Sequence, residues 1–475
     1  KLKQYFGTDG IRGIPNKTLN EDLVSKIFSS VEKELSPVSV AVILDTRSSS
    51  LELLGWICNG LSENVQVVNY GVLPSGSMPI LLKKFEHDLG VIISASHNPS
   101  EYNGIKLIND VGSKLSDEVE INIENNLQTI SLPEKTSISK SSTEGYDAYL
   151  EYLESLIDFD LSSFNILFDT ANGSSYKIIE DLFQSTKSKF KIIANTPDGQ
   201  NINSNCGATH LDNLVSNLGK NQLGAAFDGD ADRLILVDEN RSSCNGDVII
   251  LLIAKYLEAI NRLNNNIVVS TVMSNFGFKK AAEKNNYHNI ETSVGDKYVA
   301  AAMSEHNASL GGEQSGHIII SDELPVGDGL VSLIYALKAL AFFNTSLSEF
   351  KDSNITEYPQ KLINLELDTL PSDEKIKELN VIADNLFNEV GLDGRYLIRK
   401  SGTEPILRVL VEAQSEEELA NFSEELIINI KNHLFTWNII YNDTNELISA
   451  RPWKRWRGSM LSKNSADAYS ALQSL

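Results

Sequence analysis

The stretch Asp228-Gly229-Asp230-Ala231-Asp232-Arg233 lies between two short apolar runs, Leu223 to Phe227 and Leu234 to Val237. Apolar runs of that length bounded by turn signals read as buried strands, so three carboxylates stand in a loop at the carboxyl end of a strand. The layout recurs. Ser94 to Asn98 follows the apolar run Leu89 to Ile93, and Gly311 to His317 follows Leu310. Val38 to Leu44, Asn165 to Phe168, Ile267 to Val272 and Ile406 to Val411 are further strand candidates, alternating with helical patterns. Such alternation predicts α/β layers with parallel strands, and open α/β sheets bind ligands at the carboxyl ends of their strands. Near the end of the chain, Ser415 and Glu418 stand in capping-box spacing ahead of Leu419, Phe422, Leu426 and Ile430, which share one face of a helix expected over Glu416 to Lys431.

Composition narrows the function classes. The chain has 475 residues, 41% hydrophobic and 22% charged, enough for about three domains with cores of their own. Lys and Arg number 41 against 64 Asp and Glu, a formal charge of −23, which repels phosphate backbones and anionic membranes at long range. Neither nucleic acid nor a membrane is therefore expected as a partner. Cys58, Cys206 and Cys244 are too few for a disulfide framework and too far apart for a CxxC zinc site. The longest apolar run, Val248 to Ala254, falls well short of the roughly 20 residues of a membrane helix. A soluble, cytoplasmic chain is the expectation. The polar stretch Leu132 to Thr143 reads as a first linker, with further breaks near Gly246 and at Asn354 to Pro359.

Four segments carry chemistry. In the first, Asp228, Asp230 and Asp232 at i, i+2 and i+4 point to one side of an extended backbone, and hard oxygen ligands so placed suit Mg²⁺. On spacing alone a solvated acidic turn fits too, whereas an EF-hand loop fails because Arg233 stands where a Gly is required. Ser96, in Ser94-Ala95-Ser96-His97-Asn98-Pro99, is displayed at a strand end as a candidate nucleophile, although Ser, Asn and Pro also make ordinary turns. His97, adjacent in sequence, is better placed to assist with charge than to act as the base of a Ser-His pair. Gly311-Gly312-Glu313-Gln314-Ser315-Gly316-His317 mixes donors and acceptors among glycines, as a polyol requires. Arg399-Lys400-Ser401-Gly402-Thr403-Glu404-Pro405, with Arg408 beyond, suits a phosphate dianion or an exposed salt-bridged turn.

In this order the four segments resemble the α-D-phosphohexomutase superfamily. Tyr5-Phe6-Gly7-Thr8-Asp9-Gly10-Ile11-Arg12-Gly13, Asn103-Gly104-Ile105-Lys106, Asn201-Ile202-Asn203 and Val294-Gly295-Asp296 are similar to further motifs of that superfamily. Gln314 stands where the glucose and mannose mutases typically carry Met, which favours an amino sugar. Lys297 replaces an expected Arg and Ala231 a frequent Gly. The resemblance covers about residues 3 to 432. It implies an α/β fold of four domains around a central cleft: the first three of related mixed-sheet form at 1–141, 142–246 and 247–357, the fourth a smaller α+β domain at 358–435. Residues 436–475 form a tail that does not resemble the family.

The activity implied by the resemblance is interconversion of glucosamine 6-phosphate and glucosamine 1-phosphate, feeding UDP-N-acetylglucosamine synthesis. A phosphorylated Ser96 would react, with Mg²⁺ held by Ser96 (through its phosphate), Asp228, Asp230 and Asp232, and glucosamine 1,6-bisphosphate as intermediate and activator. Lys106 is then the first choice for general acid/base help, with Arg12, His97 and His317 also near the transfer. Glu313, Ser315 and His317 would meet the sugar, and Arg399, Ser401, Gly402, Thr403 and Arg408 the phosphate that does not react. The partner is a small hexosamine phosphate, and a monomer or a homodimer serves equally. Alternatives are a phosphoglucomutase or phosphomannomutase on the same scaffold, a phosphatase, and a non-catalytic sugar-phosphate-binding protein. In the tail, Trp437, Trp453 and Trp456 accompany a basic run from Arg451 to Arg457, which suits a membrane surface, a nucleic acid or an extension without a role.

Overall fold

Three mixed sheets, one small antiparallel sheet and a hairpin make up the strands of the computed structural model, which describes residues 3–367, 369–401, 405–434, 437–441 and 447–452. They fall into two compact units. The first comprises Lys1–Ser274 and Phe278–Thr356, and the second Asn275–Gly277 with the chain from Glu357 onward.

The first sheet runs in the order Ile11–Gly13, Asn103–Asn109, Leu89–Ile93, Ser39–Leu44, Gln66–Val72, Ser139–Ser141. Its inner strands are buried throughout Leu89–Ile93 and nearly so along Ser39–Leu44, the continuous apolar pattern of a sheet covered on both faces. The second sheet is ordered Ser243–Cys244, Leu234–Val237, Leu223–Phe227, Asn165–Asp169, Lys189–Ile193, and the third His288–Thr292, Ile267–Thr271, Leu310–Gly312, Ile318–Ile320. All the expected strands are present, Leu89–Ile93, Leu223–Phe227 and Leu234–Val237 over their expected residues and the others with slightly displaced ends.

The sheets are mixed, as the family resemblance implies. In each of the three sheets the last parallel strand returns antiparallel: Leu89–Ile93 against Asn103–Asn109, Leu223–Phe227 against Leu234–Val237, and Leu310–Gly312 against Ile318–Ile320. The connections at 94–102, 228–233 and 313–317 are too short for the crossover of about a dozen residues that a parallel return needs. These three hairpin connections are the serine, carboxylate and sugar loops. The stretch Leu132 to Thr143, read as a linker, also contributes the edge strand Ser139–Ser141, parallel to Gln66–Val72.

One hydrophobic cluster joins the three α/β domains, containing Ile43, Phe168, Phe183, Leu252, Leu333 and Phe350 among others. Helices Gly246–Ala259 and Gly329–Phe343 are apolar nearly all round because they pack inside it. Asp328 starts the second of these by accepting from the N–H groups of Leu330 and Val331. No single helix among the described residues is long and apolar enough to cross a membrane.

In the second unit, strands Gln360–Glu366, Ile406–Ala413 and Gly394–Lys400 form an antiparallel sheet, with Ile406–Ala413 in the middle. Helices Asp373–Val390 and Glu416–Leu434 bury Leu379, Ala383, Phe422 and Leu426 with Val409 and Val411. The closing helix begins as its spacing predicts, with the Glu418 N–H donating to Ser415 Oγ. Of the tail, Trp437–Tyr441 and Leu447–Pro452 pair as a hairpin. Trp453, Trp456 and the rest of the basic run lie outside the described residues.

Candidate active site

Ser96 is buried at φ +51°, a left-handed conformation that costs a non-glycine residue about 1 to 3 kcal/mol. Neighbours hold it there. Its N–H donates to Ser94 Oγ at 2.9 Å, and Ser94 Oγ donates to Asp45 Oδ2 at 2.6 Å. Arg47, paired through Nε with Asp45 Oδ2 at 2.9 Å, donates to the carbonyls of Ser96, Asn98 and Pro99 at 3.1, 2.9 and 2.5 Å. Both side chains of this pair are wholly buried. Asn203, from the second domain, adds bonds to the carbonyls of Ser96 and Asn98 at 2.8 and 3.0 Å. Removing one member of a buried pair leaves an uncompensated charge. Arg47→Met is therefore expected to destabilise the protein by about 3 to 5 kcal/mol, read as a lower urea midpoint. A midpoint equal to the parent's would mean that the loop does not depend on this clamp.

The serine and carboxylate loops touch. Ser96 Oγ donates to Asp228 Oδ2 at 2.6 Å, and a Cβ on Gly229 would fall 2.5 Å from the Ser96 carbonyl oxygen, so only glycine permits the approach. The carboxylates converge by a route other than the one their spacing suggests. The segment is a turn closed by the Ala231 N–H to the Asp228 carbonyl at 3.0 Å, with Ala231 at φ +57°; the extended-backbone expectation is corrected. One oxygen from each of Asp228, Asp230 and Asp232 lies within 4.8 Å of the others. All three residues are buried, and Oδ1 of Asp230 and of Asp232 has no hydrogen-bond partner among the described residues. Burial, then Asp232 and Asp230, push the Asp228 carboxyl well above its ordinary value. Buried polar atoms ordinarily find partners, so these unsatisfied oxygens and this mutual repulsion fit a bound divalent cation with hard oxygen ligands.

Lys106 Nζ lies 2.7 Å from Asp230 Oδ2, 3.0 Å from Asp9 Oδ2 and 3.4 Å from Asp232 Oδ2. Burial alone would lower the ammonium, but Asp230, Asp9 and Asp232 outweigh it and hold the group well above its ordinary value. Arg12 pairs with Asp9 and donates to Asn98 Oδ1 at 2.8 Å. Burial, with Arg233 and Arg12 nearby, pushes His97 down to about 4. Its ring is therefore neutral near pH 7 and supplies no positive charge there.

The sugar loop meets the same site. His317 Nε2 is 3.7 Å from Asp296 Oδ2 and 4.0 Å from Asp232 Oδ2, and its Nδ1 is buried without a partner among the described residues. Glu313 Oε1 accepts from the Gly295 N–H at 3.0 Å, while Ser315 is exposed. The departure at Lys297 is absorbed by an ion pair with Asp117 at 2.6 Å.

In the second unit, Arg399 and Arg408 are direct cross-strand partners. Burial and then Arg408 hold the Arg399 guanidinium below its ordinary value, and neither arginine has an ion-pair partner among the described residues. Like charges placed opposite each other repel, so the pair is poised for an anion. Ser401 is buried beside it. Gly402 and Thr403 lie outside the described residues.

Several contributors were not singled out by residue chemistry. Asp45 and Arg47 follow the strand Ser39–Leu44, the same strand-then-polar-loop signal that marked Ser96. Asp9, Asn203 and Asp296 stood in motifs quoted without a role, and Ser75, which donates to Asp230 Oδ2 at 2.6 Å, carried no signal.

Family models for phosphoglucomutase/phosphomannomutase match the chain in succession: α/β/α domain I over residues 3–134, domain II over 147–242, domain III over 245–358 and the C-terminal domain over 362–428. A phosphoglucosamine mutase of Clostridium kluyveri is 38% identical over 451 residues, covering 90% of this chain and 100% of the relative. One from Clostridium novyi is 40% identical over 441 residues, covering 90% and 98%. Among solved structures, a phosphoglucomutase/phosphomannomutase family protein of Burkholderia thailandensis aligns with a TM-score of 0.75 at 21% identity, over 94% of this chain and 100% of that one. An N-acetylphosphoglucosamine mutase of Aspergillus fumigatus, in complex with GlcNAc-6P and magnesium, aligns with a TM-score of 0.64 at 18% identity, over 91% and 96%. A serine loop, a carboxylate turn and a sugar loop built as equivalent hairpins in three successive domains thus coincide with identity sustained along the relatives' whole length, and the chain belongs to the α-D-phosphohexomutases, the phosphoglucomutase/phosphomannomutase family.

Proposed function

We propose that this chain is a phosphoglucosamine mutase, interconverting glucosamine 6-phosphate and glucosamine 1-phosphate through a phosphorylated Ser96. The observation that carries the reading is the contact between Ser96 Oγ and the carboxylate cluster at 2.6 Å. A hydroxyl that shuttles a phosphoryl group needs its charge neutralised on the spot. The relatives named phosphoglucosamine mutase and the Gln314 position support the amino sugar.

In the forward half-reaction the bond between phosphorus and Ser96 Oγ breaks while a bond forms to the C1 hydroxyl oxygen. The hydroxyl loses its proton, and Ser96 Oγ ends protonated. The resulting glucosamine 1,6-bisphosphate turns end for end, and its C6 phosphoryl group returns to Ser96. Asp228, Asp230 and Asp232, with one oxygen each within 4.8 Å of the others, would hold Mg²⁺; the Aspergillus protein was solved in complex with magnesium. When bound, the cation neutralises the phosphoryl oxygens and makes phosphorus more electrophilic.

Lys106 stands beside the transferring group, with its Nζ 2.7 to 3.4 Å from Asp230, Asp9 and Asp232, where it supplies charge and is a candidate for moving the hydroxyl proton. His317, whose Nδ1 has no partner among the described residues, is a second candidate for moving the hydroxyl proton. Arg12 and Arg233 add charge, which a protein of net charge −23 must concentrate locally.

Arg399, Ser401 and Arg408 bind the phosphate not being transferred. Arg408→Ala is expected to raise KM for glucosamine 6-phosphate about 10- to 100-fold, the worth of one charged hydrogen-bonding group. An unchanged KM would remove Arg408 from that role. The decisive experiment incubates the protein with Mg²⁺, a trace of glucosamine 1,6-bisphosphate and each of glucosamine, glucose and mannose 6-phosphate in turn, following products by phosphorus NMR. Glucosamine 1-phosphate as the fastest product is expected. A preference for glucose or mannose 6-phosphate, or release of free phosphate alone, would overturn the reading.

A further inference from the structure

A line of contacts links the sugar loop of the third domain to the serine side of the first without passing through the metal-site carboxylates. Glu313 Oε1 accepts from the Gly295 N–H at 3.0 Å. The next residue, Asp296, opens the helix Asp296–His306 and places Oδ2 2.5 Å from Lys114 Nζ. Lys114 Nζ is also 2.5 Å from Asp9 Oδ1, and the other oxygen of Asp9 is 3.0 Å from Lys106 Nζ. The local backbone is built to deliver Lys114. Asn109 and Ser113 close a turn through the Asn109 N–H to the Ser113 carbonyl at 2.7 Å and the Ser113 N–H to Asn109 Oδ1 at 2.8 Å. That turn folds the chain back on the strand carrying Lys106, so that Lys114 bridges to Ile108.

Lys106, Lys114, Asp296 and His317 line one end of a cavity of about 480 Å³ whose walls include Met78 and Ile319. Apolar walls keep the local dielectric low, so these charges act on one another strongly. Asp9 is therefore held from both sides: Lys114 fixes one oxygen, and the other takes Lys106 and Arg12.

We propose that Lys114 is a positioning residue for phosphoryl transfer: by clamping Asp9 to Asp296, it sets where the Lys106 ammonium stands relative to the reacting serine and ties that position to the segment holding Glu313. The claim rests on the mutase reading. Lys114 touches no reacting atom. Its loss leaves two half-buried carboxylates without their shared cation, and Asp9, still paired with Arg12, is free to shift and carry Lys106 away from Asp230 and Asp232. Misplacing such a group by a fraction of an ångström slows the chemical step more than it weakens substrate binding.

The experiment begins with the parent protein. If it does not isomerise glucosamine 6-phosphate with Mg²⁺ and the bisphosphate, the proposed function fails and Lys114 is not at issue. With an active parent, Lys114→Met is expected to lower kcat about 10- to 100-fold while KM changes less than about threefold. Lys114→Arg, which keeps the cation, is expected to recover most of that loss. Because Lys114→Met and Asp296→Asn break the same bridge, the double variant should lose no more than the worse single one. An unchanged kcat in Lys114→Met, a loss confined to KM, no recovery with arginine, or fully multiplicative losses in the double variant would each overturn the proposal. Should Lys114→Met fail to fold, Asp296→Asn alone decides: it leaves Asp9 and Lys106 paired, and a kcat equal to the parent's would overturn the proposal.

Discussion

Ser96→Ala is expected to abolish turnover of glucosamine 6-phosphate, a loss of at least about 10⁴-fold in kcat, as follows from removing a nucleophile on which every step depends. No other hydroxyl in the loop can substitute. Ser94 Oγ is committed to Asp45 and to the Ser96 N–H, and Ser75 Oγ faces Asp230 Oδ2. The variant should fold normally. Alanine meets the left-handed conformation at φ +51° at much the same cost as serine, and the carbonyl of residue 96 keeps its bonds from Arg47 and Asn203. Two measurements check the expectation together. Phosphorus NMR should find no glucosamine 1-phosphate, and intact-mass analysis should find that the variant, unlike the parent, gains no phosphoryl group from the 1,6-bisphosphate. Turnover at the parent's rate would rule out a phosphoserine route.

The parts of this architecture that were legible in sequence are those that local chemistry determines. Leu223–Phe227 and Leu89–Ile93 are strands over their expected residues, because continuous apolar runs of that length have nowhere to go but a covered sheet. The closing helix was readable from Ser415 and its apolar face. Direction was harder. Parallel or antiparallel pairing is settled by where the neighbouring strand comes from, and the hint lay in the shortness of the loops, not in the strands. The convergence of Asp228, Asp230 and Asp232 was anticipated for the wrong reason. A two-residue period would have aligned them, but the turn at Ala231 does so instead, with a backbone angle that leaves no trace in the residue pattern.

Roles that depend on company were the least legible. Lys106 reads as an acid/base candidate while its neighbours are unknown. Asp9 and the pair Asp230 and Asp232 arrive from sequence positions about a hundred residues away on either side, and their carboxylates favour its charged form. His97 moves the other way, since Arg233 and Arg12 help to keep it neutral. Lys114 carries no motif at all. Its significance comes only from Asp9 and Asp296 meeting at one ammonium.

Asp230→Asn is the second substitution with a large expected effect, and it acts on metal use rather than on the nucleophile. Asp230 divides its carboxylate: Oδ2 takes Lys106 and Ser75, while Oδ1 is buried with no partner. Asparagine preserves the shape but removes one of the three negative charges facing the cation. It also takes from Lys106 its nearest negative charge, at 2.7 Å. Groups that merely orient metal ligands cost 10- to 100-fold in affinity when lost, so a ligand lost together with its charge should raise the Mg²⁺ concentration for half-maximal activity by about 100-fold or more. Calorimetric titration with Mg²⁺ alone reads the same change without turnover. A third readout is thermal unfolding. A cation at 100 times its dissociation constant adds about 2.7 kcal/mol to stability, so Mg²⁺ should raise the parent's Tm and leave the variant's nearly where it was. An Mg²⁺ requirement, a titration and a melting shift all equal to the parent's would remove Asp230 from the ligand set, and with it the reason for three carboxylates to be buried against Ser96.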